Sequence, residues 1–449
     1  MTGLWGELDL PEAVVTGVET VLPGPFRVAH AAAQSVAAAT LAAGELLRLK
    51  GIDPGTVSVD LRHAAAAFRS ERYLRVNGSS PGDVWAGLSG DYRAADGWVR
   101  LHCNYPHHGD AVCRALGVPG DRDAVAAVVS RRRAWDVQEV VIAEGGAAAA
   151  MRSRDEWLGG EQGQAVAAAP LVDCSRVAPS PALALSSSDR PLGGIRVLEL
   201  THVIAGPVAG RTLAAHGADV LHIGAAHLPA LPTLFMDTGL GKRSAHVDLR
   251  TPAGRDVLWR LVSEADVFVQ SYRPGALAGL GFTPERLAEA RPGIVLVELD
   301  AYGWSGPWAG RRGFDSLVQM AGGIAAHAGL DKPRPLPAQA LDHATGWLAA
   351  TAAMLGLRRR AVEGGSWRAR LSLARTGLWL DSLGRLDAGG ELDASDLLAD
   401  IESGYGTLTH VRMPGILPPS PPRWDRGSPL PGADPAQFSP SAPGAVRSS

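Results

Sequence analysis

Cysteine is scarce in this chain of 449 residues, which holds only Cys103, Cys113 and Cys174. An odd number of cysteines without a C-x-x-C spacing supports neither a disulfide framework nor a structural zinc site. No apolar run approaches the roughly 18 residues that a membrane-spanning helix needs. The acidic N-terminus, MTGLWGELDLPEAVV, lacks the basic-then-apolar layout of a signal peptide. We therefore expect a soluble, cytoplasmic protein with no membrane partner.

An excess of one sign of charge is also missing. The formal net charge is −3 at pH 7, so the chain has no basic surplus for a nucleic-acid backbone, and we expect no nucleic-acid partner. The glycines of THVIAGPVAG do not form the G-x-G-x-x-G of a nicotinamide site.

The patterns that are present predict an α/β fold. IRVLEL, ADVLHI, AHVDL, DVFVQS and GIVLVEL are short apolar segments that alternate with helix-forming stretches. Continuous apolar strands are typical of a parallel sheet covered on both faces, and this alternation predicts a Rossmann-like doubly wound parallel sheet. Because the chain is too long for one typical core, we also expect a second, smaller α+β domain.

Composition divides the chain into five predicted segments. They are a helix–strand segment (1–68), the smaller α+β domain (69–172), a Pro- and Ser-rich linker (173–190), the Rossmann-like domain (191–415) and a Pro- and Ser-rich tail (416–449), extended or disordered. A shift of 312 residues aligns 27–64 with 339–376 without a gap, and both copies have the order helix, glycine-containing break, strand. This similarity predicts a repeated unit in which His30 matches Asp342.

Asp342 is an isolated acidic residue at the head of a long apolar run, LPAQALDHATGWLAATAAMLGL. From spacing alone, the commonest role of such a residue is a helix N-cap. A nucleophile is the other role, because a helix N-terminus favours the ionised carboxylate by about 0.3–1 kcal/mol. The same N–H groups would then stabilise a tetrahedral oxyanion. The residues alone leave both roles open.

A histidine-rich segment, LHCNYPHH, contains His102, His107 and His108. Its spacing matches no common metal site. We therefore predict a structural or substrate-contact role for these histidines, and no metal.

Four motifs between Pro191 and about Leu383 resemble the family III CoA-transferases, the group that contains formyl-CoA transferase and carnitine CoA-transferase. They are L-x-G-x-R-V-L-E-L-T-x-x-x-A-G-P, K-R-S-x-x-x-D-L, Y-R-P-G-x-x-x-x-L-G-F and Y-G-x-x-G-P-x-x-x-R-x-G-F-D. Residues 69–172 look like the family's smaller domain, which normally follows the catalytic aspartate. Here that domain precedes the Rossmann-like part, as in a permuted chain or a fusion of two trimmed copies.

The resemblance implies an enzyme that moves CoA between an acyl-CoA thioester and a carboxylic acid. CoA would be a substrate, with no tightly bound cofactor, and the assembly would be a homodimer. Asp342 matches the family's nucleophile, which forms an aspartyl mixed anhydride and then an enzyme–CoA thioester. The implied CoA contacts are His202, Val203, Ile204, Ala205, Lys242, Arg243, Ser271, Tyr272, Arg273 and Tyr302. The family's acidic and basic residues after the second strand are replaced by Gly224 and Ala225, which removes one phosphate contact.

Two alternatives use the same fold. An α-methylacyl-CoA racemase needs a proton-transfer group on each face of the α-carbon. Phe314 replaces the histidine that the racemase subgroup has before the aspartate of RRGFD, so a nearby histidine such as His343 would have to substitute. The second alternative is a catalytically inactive CoA-binding relative, which the permuted order and the lost basic position favour.

Overall fold

The computed structural model describes residues 4–387 and 389–440. Residues 441–449 of the predicted tail lie outside the described part. The strands are β1 (Val14–Thr16), β2 (Ser58–Asp60), β3 (Arg75–Val76), β4 (Gly90–Arg93), β5 (Trp98–Leu101), β6 (Ala148–Ala150), β7 (Asp173–Ala178), β8 (Arg196–Leu200), β9 (Asp219–Gly224), β10 (Arg243–His246), β11 (Val267–Gln270), β12 (Val295–Asp300), β13 (Ser366–Ser372), β14 (Leu398–Ser403) and β15 (Gly406–Val411).

The α-helices alternate with these strands over most of the chain. They are α1 (Leu4–Glu7), α2 (Val28–Leu49), α3 (Leu61–Ala67), α4 (Ser70–Tyr73), α5 (Pro106–Leu116), α6 (Arg122–Val129), α7 (Ala134–Ala143), α8 (Arg154–Gly159), α9 (Glu161–Ala168), α10 (Ala205–Ala215), α11 (Pro232–Thr238), α12 (Pro252–Glu264), α13 (Pro284–Ala290), α14 (Asp315–Ala321), α15 (Ala340–Glu363) and α16 (Leu373–Ser382).

Seven strands form the large sheet, in the order β10-β9-β8-β11-β12-β13-β7. The strands from β8 to β13 pair in parallel, and only the edge strand β7 is antiparallel. Counted along the chain from β8, the parallel strands have the order 3-2-1-4-5-6, which confirms the predicted Rossmann-like doubly wound sheet. The winding reverses between β8 and β11, and ligands of such sheets bind there, at the carboxyl ends of the strands.

The predicted linker over residues 173–190 is wrong at its beginning. Asp173–Ala178 form β7, which pairs with β13 and places Cys174 opposite Ala369. An edge strand has one unpaired side and tolerates exposed polar residues, so its composition resembles that of a linker. The other predicted domain boundaries stay predictions.

The smaller α+β unit is built on the antiparallel sheet β4-β5-β6. Helices α5, α6 and α7 share a buried core with this sheet, in which Val99 and Leu101 of β5 join Val112, Val125 and Val137 of the helices. This confirms the expected smaller domain. Strand β3 lies within the predicted segment 69–172 but pairs with β15 in a separate sheet.

The predicted repeat is visible in the secondary structure. At a shift of 312 residues, α2 falls on α15, β2 falls on the end of β13, and the first residue of α3, Leu61, falls on Leu373, the first residue of α16. The parallel pair β1–β2 corresponds to the parallel pair β12–β13. Because α2 packs directly against α15, the first copy covers the helix that carries Asp342 in the second copy.

Gly346 of α15 lets this helix lie directly beside the start of α10. A Cβ atom at Gly346 would lie 2.5 Å from the carbonyl oxygen of Ala205 and 2.8 Å from Cβ of Val208. Both distances are too short for any side chain. The close approach brings the first turn of α15, and Asp342 with it, to the carboxyl end of β8.

Candidate active site

Two cavities meet at Asp342. The first, which we call the switch-point cavity, has a volume of about 410 Å³ and lies at the carboxyl ends of β8, β11 and β12. The second, the inter-domain cavity, has a volume of about 270 Å³ and lies between the smaller α+β unit and α15. Asp342, Val203 and Phe314 line both cavities.

The Asp342 side chain has no helix-capping role. The N-cap of α15 is Gln339, and Asp342 lies inside the first turn of the helix, so the N-cap interpretation is wrong. Asp342 is only 6 % exposed, and among the described residues none donates a hydrogen bond to its carboxylate. The carboxylate is therefore free to react with a group that enters either cavity.

Asp315 supplies the cap that α15 lacks. Its Oδ2 atom accepts hydrogen bonds from the backbone N–H groups of Leu341, at 2.8 Å, and Asp342, at 2.9 Å. Its Oδ1 atom accepts one from Gln319, whose own Oε1 accepts the N–H of Leu336 at 2.7 Å. The N–H groups of residues 341 and 342 are thus occupied, and the expectation that they bind an oxyanion is wrong. Asp315 ends the motif RRGFD, but the sequence did not indicate this role.

Burial raises the pKa of Asp342 well above its ordinary value, and the carboxylates of Asp315 and Glu71 raise it further. Burial also raises the pKa of Asp315 to about 6. The helix N-terminus favours ionised Asp342 by only about 0.3–1 kcal/mol, and loss of hydration outweighs it. A reaction that needs the Asp342 carboxylate should therefore become faster as the pH rises through this raised pKa.

Glu71 of α4 belongs to the site although no sequence pattern pointed to it. It lines the inter-domain cavity, and its Oε2 atom lies 3.3 Å from Nε2 of His343. Burial works to raise the pKa of Glu71, but the hydrogen bond and the positive charge of His343 outweigh it, so the pKa is lowered. His343 is 1 % exposed and stacks on Phe68. Within the described chain His343 lines neither cavity, so it cannot serve as the second proton-transfer group of a racemase.

The histidine-rich segment forms part of the wall of both cavities. His102 lines the inter-domain cavity and stacks face to face on Phe314, with ring centroids 3.6 Å apart. His108 lines the switch-point cavity. Burial lowers the pKa of His102 to about 3 and that of His108 to about 4, so both rings are neutral near pH 7. Over residues 4–387 and 389–440, no group of three or more His, Cys, Asp or Glu side chains could hold a metal ion.

Seven of the predicted CoA contacts lie around these cavities. Lining the switch-point cavity are His202, Val203, Ala205, Ser271, Tyr272 and Arg273, and Ile204 lines the inter-domain cavity. The backbone N–H of His202 donates to Oγ of Ser271 at 3.3 Å, and its Nε2 lies 3.1 Å from the hydroxyl of Tyr272. These contacts join the ends of β8 and β11 at the switch point.

The other three predicted contacts line neither of these two cavities in the described chain, and their role in CoA binding stays a prediction. Lys242 is buried, with its Nζ atom 2.7 Å from Oε2 of Glu199, and it lines a third cavity. Arg243 forms a bidentate pair with Asp219, at 2.7 and 2.9 Å, and donates to the carbonyl of Gln437 in the tail.

Tyr302 is 3 % exposed and packs edge-on against Trp308. Of these three residues, none lines the switch-point or inter-domain cavity in the described chain. Lys242 and Arg243 are bound by side chains and a carbonyl outside their own motif, so the motif alone could not reveal their contacts.

Val203 has a strained backbone at the centre of the site. Its φ is +70°, in the left-handed region that β-branched residues avoid at a cost of about 1–2 kcal/mol. The residue lies in the turn between β8 and α10 and lines both cavities. Such strain persists where the surrounding structure imposes it, commonly at functional sites.

Substitution of Val203 separates this strain from packing. Val203→Ala removes the packing of the two methyl groups but keeps the Cβ atom and therefore the backbone strain. Val203→Gly removes the packing and the strain. We expect the glycine variant to be more stable than the alanine variant by about 1 kcal/mol in urea unfolding, although glycine is normally the less stabilising residue. An alanine variant as stable as the glycine variant would show that the turn is unstrained.

The fold and site together define an α/β protein with a large cavity at the carboxyl ends of its parallel strands. The chain belongs to CoA-transferase family III, because the family model matches residues 17–188 and 192–434. It is 30% identical over 421 residues to an acyl-CoA transferase of Gibberella moniliformis, covering 81% of this chain and 73% of that protein.

Shorter similarities cover less than half of the chain. A formyl-CoA:oxalate CoA-transferase of Streptomyces coelicolor is 31% identical over 197 residues, 41% of this chain and 48% of that protein, so the chain spans about half the length of this relative. A crystal structure of a hypothetical protein from Mycobacterium tuberculosis is 33% identical, with a TM-score of 0.40, over 43% of this chain and 59% of that one. In the described part of the chain, no helix is long and apolar enough to cross a membrane.

Proposed function

We propose that this enzyme transfers CoA from an acyl-CoA thioester to a carboxylic acid, with Asp342 as the nucleophile. One observation carries the proposal. Asp342 is a buried carboxylate without a hydrogen-bond partner among the described residues, and it lies where two cavities meet. A thioester bound with its CoA arm in one cavity and its acyl group in the other presents its carbonyl carbon to this carboxylate.

The switch-point cavity is suited to the CoA arm. It is the larger of the two, and its wall includes Tyr272, Leu299 and Ala301, which suit the apolar parts of a pantetheine chain. Arg273 and Arg312 line the same cavity and are suited to phosphate groups. Arg312 was not predicted, and it offers a positive charge in place of the one lost at Gly224 and Ala225.

The reaction conserves the thioester energy in two covalent intermediates. An oxygen of Asp342 attacks the thioester carbon. The C–S bond then breaks, CoA leaves as a thiolate, and the acyl group stays on Asp342 as a mixed anhydride. The thiolate then attacks the aspartyl carbonyl, which releases the donor acid and leaves CoA bound to Asp342. The acceptor carboxylate repeats these steps in reverse and regenerates the Asp342 carboxylate.

The first turn of α10 is suited to hold the negative charge that develops on the thioester oxygen. Ala205 and Gly206 line the switch-point cavity, and α10 has no side-chain cap. The first N–H groups of a helix have no partner within it, so those of Ala205 and Gly206 are available to the oxyanion. This role replaces the one expected for the N–H groups of α15.

Hydroxylamine trapping tests the proposal directly. The enzyme is incubated with acyl-CoA and hydroxylamine, and tryptic peptides are analysed by mass spectrometry. We expect an aspartyl hydroxamate at Asp342, together with exchange of radiolabelled CoA into acyl-CoA. His102 lines the same cavity as Asp342, so exchange of the α-proton with solvent is measured in parallel. Proton exchange without a hydroxamate would support a racemase, and neither signal would support an inactive CoA-binding relative.

The assembly and location of the enzyme stay predictions. We propose a homodimer in the cytoplasm, with acyl-CoA and a carboxylic acid as its small-molecule partners. Light scattering after gel filtration measures the oligomeric state.

A further inference from the structure

The inter-domain cavity has an unbalanced set of charges. Its carboxylates are those of Glu71, Asp83, Asp315 and Asp342, and its one arginine in the described chain is Arg72. The Nε atom of Arg72 lies 3.8 Å from Oε1 of Glu71, and the Arg72 side chain is 45% exposed. Its charge is therefore shared with Glu71 and screened by water. Glu71 also pairs with His343, at 3.3 Å. The cavity carboxylates without an ion pair in the described chain are therefore those of Asp83 and Asp315, together with Asp342 before it is acylated. His102 adds no positive charge near pH 7, because burial lowers its pKa to about 3.

The opposite wall of this cavity is aromatic. His102 and Phe314 stack with an interplanar angle of 3°, and Trp85 meets His102 edge-on at 5.9 Å. All three rings line the cavity. At about 270 Å³, the cavity exceeds the roughly 150 Å³ of an apolar protein cavity that binds benzene. A phenyl-sized group therefore fits against this wall.

Asn104, a polar side chain of this wall, is already engaged. Oδ1 of Asn104 accepts hydrogen bonds from the backbone N–H of Ala86, at 3.1 Å, and from the hydroxyl of Ser89, at 2.7 Å. Its amide nitrogen donates to the carbonyl of Val84 at 2.9 Å. Asn104 organises this loop and is not free to bind a second polar group on a substrate.

We propose that the inter-domain cavity selects monocarboxylic acids with an uncharged acyl group, up to the size of a phenyl ring, and rejects dicarboxylic acids. The inference rests on the proposed function, which places the acyl group beside Asp342. A second carboxylate in this cavity would lose hydration and meet like charges, and both effects exclude it.

A matched pair of acceptors tests this selectivity. In 4-methylpentanoate, an isopropyl group replaces the terminal carboxylate of succinate. With acetyl-CoA as the donor, we expect kcat/KM to be about 100-fold higher for 4-methylpentanoate than for succinate, and we expect phenylacetate to be accepted. Equal use of the two acids, or a preference for succinate, would overturn the inference.

Variants identify the groups responsible. Glu71→Gln should raise the succinate to 4-methylpentanoate ratio of kcat/KM about tenfold. Because the ratio compares two acids in one variant, any general effect on Asp342 cancels. Asp136→Asn, which removes an exposed carboxylate of α7, is the matched control and should leave the ratio unchanged. A selective loss of succinate turnover in Arg72→Met would show instead that Arg72 binds a second carboxylate.

Binding measurements keep this inference separate from the proposed function. Titration calorimetry of the wild-type enzyme with each acid should show tighter binding of 4-methylpentanoate than of succinate. If no acid accepts CoA, the proposed function is wrong. The selectivity of the cavity is then still tested by which of the two acids binds more tightly. Tighter binding of succinate would overturn the inference even if transfer occurs.

Discussion

Replacing Asp342 with asparagine is expected to abolish CoA transfer and to stabilise the fold at neutral pH. Asparagine keeps the shape of the side chain but cannot form an anhydride, so kcat should fall by at least about 10⁴-fold. Initial rates of CoA transfer measure this loss. Asp136→Asn, which removes an exposed carboxylate of α7, is the control and should retain turnover with 4-methylpentanoate.

The stability of Asp342→Asn should depend on pH in a defined direction. The folded-state pKa of Asp342 is raised by burial and by Asp315 and Glu71, so the folded protein holds this proton at pH values where the unfolded chain has released it. The wild type therefore loses stability as the pH rises from about 4 through the raised pKa. Asparagine carries no charge, so its stabilising effect should be absent near pH 4 and grow with pH, by about 1.4 kcal/mol per unit of pKa shift.

Urea unfolding of both proteins at several pH values measures this difference. A pH-independent difference in the free energy of unfolding would contradict the burial of an ionisable group at position 342. If Asp342→Asn were stabilised and yet fully active, the raised pKa of Asp342 would be supported, but Asp342 could not be the nucleophile.

Asp315→Ala should impair both the fold and the reaction. The substitution leaves the N–H groups of Leu341 and Asp342 without the acceptor that they have at 2.8 and 2.9 Å. We expect a loss of about 2–4 kcal/mol in the free energy of unfolding at pH 5, where Asp315 is largely protonated. We also expect kcat to fall about 100-fold, because the first turn of α15 no longer holds Asp342 in place.

Two further variants distinguish an effect on the position of Asp342 from a general loss of stability. Asp315→Asn retains an oxygen of the same geometry and should recover part of the lost kcat. Ser316→Ala removes a neighbouring buried hydroxyl of α14 and should leave kcat close to that of the wild type. If Asp315→Ala retained full kcat despite lower stability, the cap would be structural only.

Strands were predicted correctly where a single continuous apolar run in the sequence is enough to identify them. Four of the five apolar segments appear as strands β8, β9, β11 and β12, because a parallel strand buried on both faces must be continuously apolar. The fifth, AHVDL, overlaps the edge strand β10 only at Ala245 and His246. Strand β7 escaped prediction because an edge strand needs no such run, and its partner, β13, lies almost two hundred residues further along the chain.

The position of a site residue was predictable only where its motif directly follows a strand of the large sheet. His202, Ser271 and Tyr272 follow strands β8 and β11, and the carboxyl ends of these strands meet at the switch point. Arg243 belongs to an equally clear motif, yet its guanidinium pairs with Asp219 and the tail. A motif records which residues are present, but the partner of a charged side chain depends on the packing of distant segments.

By itself, the sequence determined the parallel sheet, the repeated helix–strand unit and the position of one isolated aspartate at the start of a helix. These follow from local periodicity and from short-range motifs. Only the tertiary structure decided that Asp315 caps α15, that Glu71 and Asp342 share a cavity, and that His102 stacks on Phe314. Each of these contacts joins segments far apart in the chain, and burial at those contacts sets the charge of every group around Asp342.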